Sequence, residues 1–371
     1  MPRDRHLFRN IDWIGCIVVG ALSLLGLLFV FSTTYQEEQP YSLFFKKQLL
    51  GVGGGYIIFI LMSLIDYRRI QRWGFFLYFA ILGALAFTLF KGSIGLGAQR
   101  WINMGFFKYQ PSELVKFLFP AFFTYYLLWD NHNPSQRTFI SFLPLLITLG
   151  ISLFLILKQP DLGTAIIIGT VSLILLGYAG IGRRFFIIGG GIALISTPLL
   201  WHLLKPYQKQ RIAVFLGYGD RQKERYQIEQ SRIAIGSGGL TGKGLLRGTQ
   251  NILQFLPESR TDFIFSIICE ELGFIGACAI IALYIILFIN ITAIMSTFHD
   301  ETTQLLSLGL TAPLFISAII NMGMVTGLLP VVGIPLPFMS YGVSHTWIEF
   351  ASLGCFHSIA LRRCYHNTRS L

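Results

Sequence analysis

Asp262 stands in PESRTDFIF, beside Thr261 and Arg260, where a basic stretch ends and an apolar run begins. A carboxylate at such a boundary can take a proton as a general base or hold a cation. It can equally cap the helix that follows, which needs only an Asp at that position. Glu113 and Lys116 in QPSELVKF are three residues apart on one helical face and can pair. They are either a buried ion pair that fixes helix packing or the charged wall of an outward-facing cavity. Pro111 and Ser112 suit a helix start. Asp161, in KQPDLGTA between Pro160 and Gly163, suits a helix cap. Ionisable groups inside apolar runs are costly and are functional candidates by default. Glu270 and Glu271 are two of them. At about 100° per residue, Glu270 falls about 80° from the Asp262 face and Glu271 about 180° from it, so only Glu270 can look toward the same cavity. Glu349 has no partner that spacing assigns.

The elements that must position these groups are apolar helices. The chain has 371 residues, 53% hydrophobic and 13% charged, with a mean hydropathy of +0.62. Apolar runs near the length of a bilayer crossing recur along it and do not alternate with period two, so a helical polytopic membrane protein is expected and a β-barrel is not. Ten spans are predicted: 12–33, 44–65, 73–91, 112–129, 139–157, 161–180, 185–205, 263–292, 304–328 and 343–361. The division at KQPD (158–161) sets the parity. The segment NMGMVTGLLPVVGIPLPFMSY (321–341) holds Pro330, Pro335 and Pro337 with Gly323, Gly327 and Gly333 in an apolar setting. Proline removes a helical donor, and irregular backbone survives at membrane depth only where protein or a watered cavity covers it. It is expected to be a re-entrant or loop element roofing a cavity.

Short connections on the N-terminal side carry Arg3, Arg5, Arg9, Arg68, Arg69, Arg72, Arg137, Arg183 and Arg184, and the tail carries Arg362, Arg363 and Arg369. The positive-inside rule places both termini in the cytoplasm. The first span lacks a good cleavage site and is expected to be retained. Residues 206–262 form one large extracytoplasmic loop with nine Lys or Arg against five Asp or Glu. It suits an anionic ligand such as a lipid phosphate, or simply anionic headgroups. The five cysteines (Cys16, Cys269, Cys278, Cys355, Cys364) show no CxxC spacing, so neither a disulfide framework nor a zinc site is read. GSGGLTGKG (236–244) fails as a phosphate loop, because Gly244 follows Lys243 where Ser or Thr is required, and GLGAQRW (95–101) lacks the third glycine of a dinucleotide fingerprint. Both suit amide-rich turns. GVGGG (51–55) and GGG (189–191) are expected to let helices pack closely.

In this order and spacing, GLGAQRWI (95–102), QPSELVKF (110–117), QPDLGTA (159–165), Tyr207-Gln208 with Arg211, QSRIAIGSGGLTGKGLLRGTQ (230–250), FLPESRTDFIF (255–265), EELG (270–273) and the proline segment resemble the shape, elongation, division and sporulation (SEDS) family over nearly the whole chain. NMGMVTGLLPVVGIPLPF and TGKGLLRGTQ look like its elongation branch. The division branch would be expected to carry a threonine–lysine variant around residues 331–335. One departure is SYGVSHT (340–346) where the family usually reads SYGGSS. Val343 replaces a glycine, unfavourable if that glycine needs a positive φ, and His345 replaces a serine.

The resemblance implies one all-α membrane domain of ten spans over residues 1–371, with a large loop between the seventh and eighth. It implies a glycosyltransferase that polymerises lipid II into glycan strands during cell elongation, with Asp262 matching the family's proposed catalytic aspartate. Glu113 and Lys116 match its glutamate and lysine. In the implied reaction the acceptor's 4-hydroxyl attacks the anomeric carbon of a diphosphate-linked donor. Arg100, Lys116, Arg211 and Lys243 are candidates to stabilise the leaving diphosphate, as is a divalent cation (Mg2+ or Mn2+) that Asp262 could hold instead of acting as base. Trp101, Asp161, Gln208 and Glu270 complete the expected substrate contacts. No nucleotide or nucleic acid is expected. The expected partners are a class B penicillin-binding protein and other rod-shape complex proteins. A lipid II flippase and a non-catalytic scaffold remain open alternatives.

Overall fold

The computed structural model describes residues 11–95, 98–103, 108–130, 137–203, 206–218 and 225–363. Arg3, Arg5, Arg9, Arg221, Cys364 and Arg369 lie outside the described residues, as do Leu96 and Gly97 and the side chain of Tyr207.

Ten long helices follow the ten predicted spans. They are α1 (Trp13–Thr34), α2 (Leu43–Leu64), α3 (Tyr67–Lys91), α4 (Pro111–Asp130), α5 (Phe139–Lys158), α6 (Leu162–Tyr178), α7 (Arg183–Leu203), then α11 (Ile264–Met295), α12 (Glu301–Val325) and α13 (Val343–Arg362). Six of them (α1, α2, α3, α5, α11, α12) are long and apolar enough to cross a membrane by length and composition alone. The polar caps lie where the spans begin: Asp12, Ser42, Asp66 and Asp300 each accept a backbone N–H from the first turn of α1, α2, α3 and α12. Asp66 starts α3 six residues before the predicted 73, so Arg68, Arg69 and Arg72 lie on its first turns rather than in a connection. The division at 158–161 holds, since α5 ends at Lys158 and α6 starts at Leu162.

Between α3 and α4 a short antiparallel meander, β1 (Ser93–Gly95), β2 (Ala98–Asn103) and β3 (Lys108–Tyr109), pairs Gly95 with Ala98 and Ile102 with Tyr109. The stretch 206–262 contains α8 (Pro206–Phe215), α9 (Tyr226–Ser237) and α10 (Thr249–Ile252). Ser231 of α9 donates to the Val325 carbonyl at the end of α12 and meets Ser266 of α11 at 2.7 Å. That locks the loop onto both helices.

The core is aromatic and tight. Tyr78 of α3 stacks on Phe122 of α4 with centroids 4.6 Å apart, inside a cluster with Phe75 and Phe119. GVGGG packs α2 onto α13 as expected: the Gly51 carbonyl accepts from the Trp347 indole at 2.9 Å, and Gly55 lies under the Phe350 ring. Gly189, Gly190 and Gly191 correct the companion expectation. Nothing lies within 4 Å of where their side chains would start, so this run packs against no helix among the described residues.

The predicted eighth span is a broken helix. Gly273 adopts φ 68°, ψ −165° inside α11. The backbone groups freed there pair with the loop: Lys243 and Gly244 N–H donate to the Glu270 and Glu271 carbonyls, and Phe274 and Ile275 N–H donate to Gly239 and Leu240. GSGGLTGKG is thus the piece that closes a gap in a membrane helix, which satisfies the requirement that every backbone polar group away from water be paired.

Candidate active site

A chamber of about 1540 Å³ opens among α2, β2, α4, α6, α8, α9 and the start of α13. Its wall at Asp262 is made by two irregular segments, Pro257–Phe263 and the proline segment Val331–Pro335. The expectation that the prolines roof a cavity is met. Residues 326–342 leave helical geometry after α12, and Asn321, fully buried, ties them to the aspartate by donating to the carbonyls of Asp262 (2.9 Å) and Ile334 (2.7 Å). Ser340 Oγ donates to the Thr261 carbonyl at 2.6 Å, and the Tyr341 N–H to that of Arg260 at 2.9 Å. Three bonds therefore fix the backbone of residues 260–262.

The Asp262 side chain is not a cap. The residue before α11 is Phe263, and no side chain caps that helix. Among the described residues no hydrogen bond reaches the Asp262 carboxylate, which faces the chamber. Surrounding protein withholds water from it and pushes its carboxyl up from 3.8 to about 6. Glu258 adds to the rise, while Arg211 and Arg100 oppose it. Arg260 is turned aside, its guanidinium 3.9 Å over the Phe44 ring of α2.

Two further polar groups stand in the walls. Asp161 caps α6 by accepting from the Thr164 N–H. It also accepts from Gln110 Nε2 (2.7 Å) and Ser112 Oγ (2.8 Å) and lies 3.6 Å from Arg100 Nη1. It therefore ties α6 to the head of α4 and holds Arg100 at the chamber. Glu113 and Lys116 pair at 2.7 Å, both nearly enclosed and both lining the space. Trp101 and Arg211 line it as well.

Three expected contacts lie elsewhere. Lys243 and Glu270 are 2.6 Å apart, with Glu270 fully buried and also bonded by Thr249 Oγ1 and the Gln250 N–H. They anchor the loop that closes the break in α11 and do not line the chamber. Glu270 turns away because the loop's ammonium and amides draw its carboxylate to their side of α11. Gln208 is buried on α8 outside the chamber lining, which takes Gln210 and Arg211 from that helix. Glu271 faces α1, where Ser32 Oγ donates to it at 2.5 Å.

The chamber also holds residues not anticipated from sequence. Lys47 enters from α2, and Glu258 stands by Asp262. Glu349 has partners after all: it accepts the Phe338 N–H at 2.9 Å and lies 3.4 Å from His345. Val343 is helical, and its Cγ2 rests against Gly51, so no positive φ is required of it. The HxxxE spacing of His345 and Glu349 was a readable one-turn signal.

A family model described as Cell cycle protein, for FtsW, RodA and SpoVE, matches residues 12–365. The peptidoglycan glycosyltransferase MrdB of Escherichia coli K12 is 36% identical over 359 residues, covering 95% of this chain and 94% of that protein. A chain in a structure of a peptidoglycan synthase complex that coordinates polymerization and crosslinking superposes with TM-score 0.81 at 26% identity, over 95% of this chain and 98% of that one. The crystal structure of the rod shape determining protein RodA of Thermus thermophilus gives TM-score 0.67 at 25% identity, over 95% and 97%. With ten long helices, a large polar-lined chamber and similarity along nearly its full length, this multi-pass membrane protein belongs to the FtsW/RodA/SpoVE (SEDS) family.

Proposed function

We infer that the chamber is where this chain, a RodA- and MrdB-like peptidoglycan glycosyltransferase, joins two lipid-linked saccharides, with Asp262 as general base. One observation carries the assignment: Asp262 has its backbone bonded in place and its carboxylate uncommitted, inside a chamber also lined by Arg100 and Arg211. A carboxylate used for capping or packing would be bonded, as Asp161 is. The volume exceeds the roughly 300–1,000 Å³ of a small-molecule pocket, which suits two headgroups together.

In the reaction the acceptor's 4-hydroxyl oxygen forms a bond to the anomeric carbon of the donor. The bond from that carbon to the lipid diphosphate breaks, and the hydroxyl proton passes to Asp262. One displacement turns an α-linked donor into a β-1,4 link. A positioned base contributes about 10² to 10⁴ in rate. Arg100 and Arg211 face the charge that grows on the leaving diphosphate. Among the described residues no three-residue cluster of metal-binding side chains occurs, but a divalent cation can be shared between one or two carboxylates and substrate phosphates. Asp262 with Glu258 is the pair that would hold Mg2+ or Mn2+, which when bound would neutralise the diphosphate.

The arginine placement supports cytoplasmic termini and a chamber opening outward. Reporter fusions after Arg221 and Arg369 test this, and an outside signal at the tail would refute it. The likeness to a chain of a synthase complex supports a crosslinking transpeptidase of the class B penicillin-binding type as partner. The proline segment supports elongation rather than division, so depletion should give round cells and not filaments. Purified protein given lipid II in detergent, with products resolved by gel, tests the activity. Glycan strands are expected, and a failure to form them would overturn the assignment.

A further inference from the structure

We propose that His345, with the carboxyl group of Glu349 beside its buried Nε2, is a substrate contact of the chamber, its Nδ1 accepting a hydrogen bond from an O–H or N–H of the lipid-linked sugar. This rests on reading the chamber as the site of glycosyl transfer.

The two residues stand one turn apart on α13 and are nearly enclosed, with side chains 8% and 11% exposed. Glu349 is fixed first: its Oε2 accepts the Phe338 N–H at 2.9 Å. Its Oε1 lies 3.4 Å from His345 Nε2, an ion-pair contact without hydrogen-bond geometry, and that nitrogen is sealed from the chamber with no hydrogen-bond partner. His345 lines the chamber, and Nδ1 is the ring nitrogen left to it. The charges of α4 nearest this pair, Lys116 and Glu113, are already joined to each other at 2.7 Å.

With Glu349 ionised the carboxylate only accepts, so the imidazole nitrogen facing it carries the proton in a neutral ring, and the other nitrogen presents a lone pair. The same logic lets a buried carboxylate orient the histidine of a hydrolase triad. A lone pair matches a sugar hydroxyl or an acetamido N–H. It does not match a diphosphate, which has only acceptors and is served by the chamber's cations. Glu349 is the positioning residue; His345 makes the contact. Where the resembling family usually carries a serine, this chain has a ring that reaches further, with its own orienting carboxylate one turn on.

The test uses the full-length protein in detergent, with lipid II affinity measured by microscale thermophoresis and KM and kcat by strand synthesis. His345→Asn places an amide oxygen where Nδ1 stood, while His345→Gln places its amide where Nε2 stood. Glu349→Gln keeps one oxygen for the Phe338 N–H and turns its NH₂ toward Nε2, which moves the ring proton to Nδ1 and makes it a donor. His345→Asn should bind within about twofold of the unaltered protein. His345→Gln and Glu349→Gln should each weaken binding and raise KM by about three- to tenfold, the worth of one hydrogen bond, with kcat changed less. Glu349→Gln should add nothing to His345→Asn. The proposal is overturned if His345→Gln and Glu349→Gln bind normally, or if Asn and Gln at 345 are equally impaired. The contrast at position 345 stands even if Glu349→Gln fails to fold. Affinity is read without turnover, so this binding pattern in a protein that makes no strands would contradict the role of Asp262 and leave His345 supported.

Discussion

Gly333 passes so close beneath Asp262 that a Cβ added there would stand 3.2 Å from Asp262 Oδ2. Its φ of +74° is one that residues with side chains rarely adopt. Gly333→Ala should therefore lose about 1–2 kcal/mol of stability from the backbone alone. Because the new methyl pushes on the carboxylate, kcat should fall by roughly tenfold or more while lipid II affinity changes little. Denaturation midpoints and steady-state rates on one preparation check both. Unchanged kcat would show that the carboxylate's position is not critical.

Glu113 and Lys116 should behave as a coupled pair. Both are nearly enclosed, so Glu113→Gln or Lys116→Met alone leaves an unpaired charge and costs about 3–5 kcal/mol. The double variant should recover most of that stability. It should not recover strand synthesis, because both side chains line the chamber. A double variant that is stable and active would reduce the pair to packing.

Lys243 and Glu270 predict the opposite pattern. Lys243→Met strands a fully buried carboxylate and should cost about 3 kcal/mol, with KM for lipid II unchanged in whatever fraction folds. A raised KM at normal stability would return Lys243 to the substrate site.

The ten helices were legible in the sequence because apolar length is a local signal. So was the irregular roof, since Pro330, Pro335 and Pro337 crowd one short stretch, whereas single prolines such as Pro120 and Pro313 stay inside helices. The break at Gly273 was not, because EELGF holds no proline and lies inside a predicted span, and only distant backbone groups of residues 239–244 make the break tolerable. The same distance effect turned Glu270 toward Lys243 and joined Gln110 and Ser112 to Asp161. Spacing could not decide whether Asp262 caps α11, since one residue's shift along the chain separates a cap from a free carboxylate. Glu113–Lys116 and His345–Glu349 both lie within one helical turn, where periodicity alone brings partners together.

The raised carboxyl of Asp262, at about 6, gives activity and stability opposite pH trends. As a base it works deprotonated, so kcat/KM should climb as pH rises through about 6. The folded state holds this proton more tightly than the unfolded chain does between about 3.8 and 6. Stability from this group therefore falls across that window and stays low above it. Asp262→Asn cannot ionise and should melt higher than the unaltered protein near neutral pH, the gap closing below about pH 4. A flat rate between about pH 5 and 7 would argue against a base with this carboxyl.

The most direct measurement is strand synthesis from lipid II by purified Asp262→Asn beside the unaltered protein, with folding checked by thermal melting and affinity by direct binding. Asn keeps the size of Asp and leaves the Asn321 bond to the residue 262 carbonyl intact, but it takes no proton and binds cations weakly. Asp262→Asn is expected to fold, to bind lipid II still and to make no strands. Substantial polymerisation by that folded variant would contradict Asp262 as base and as essential cation ligand alike.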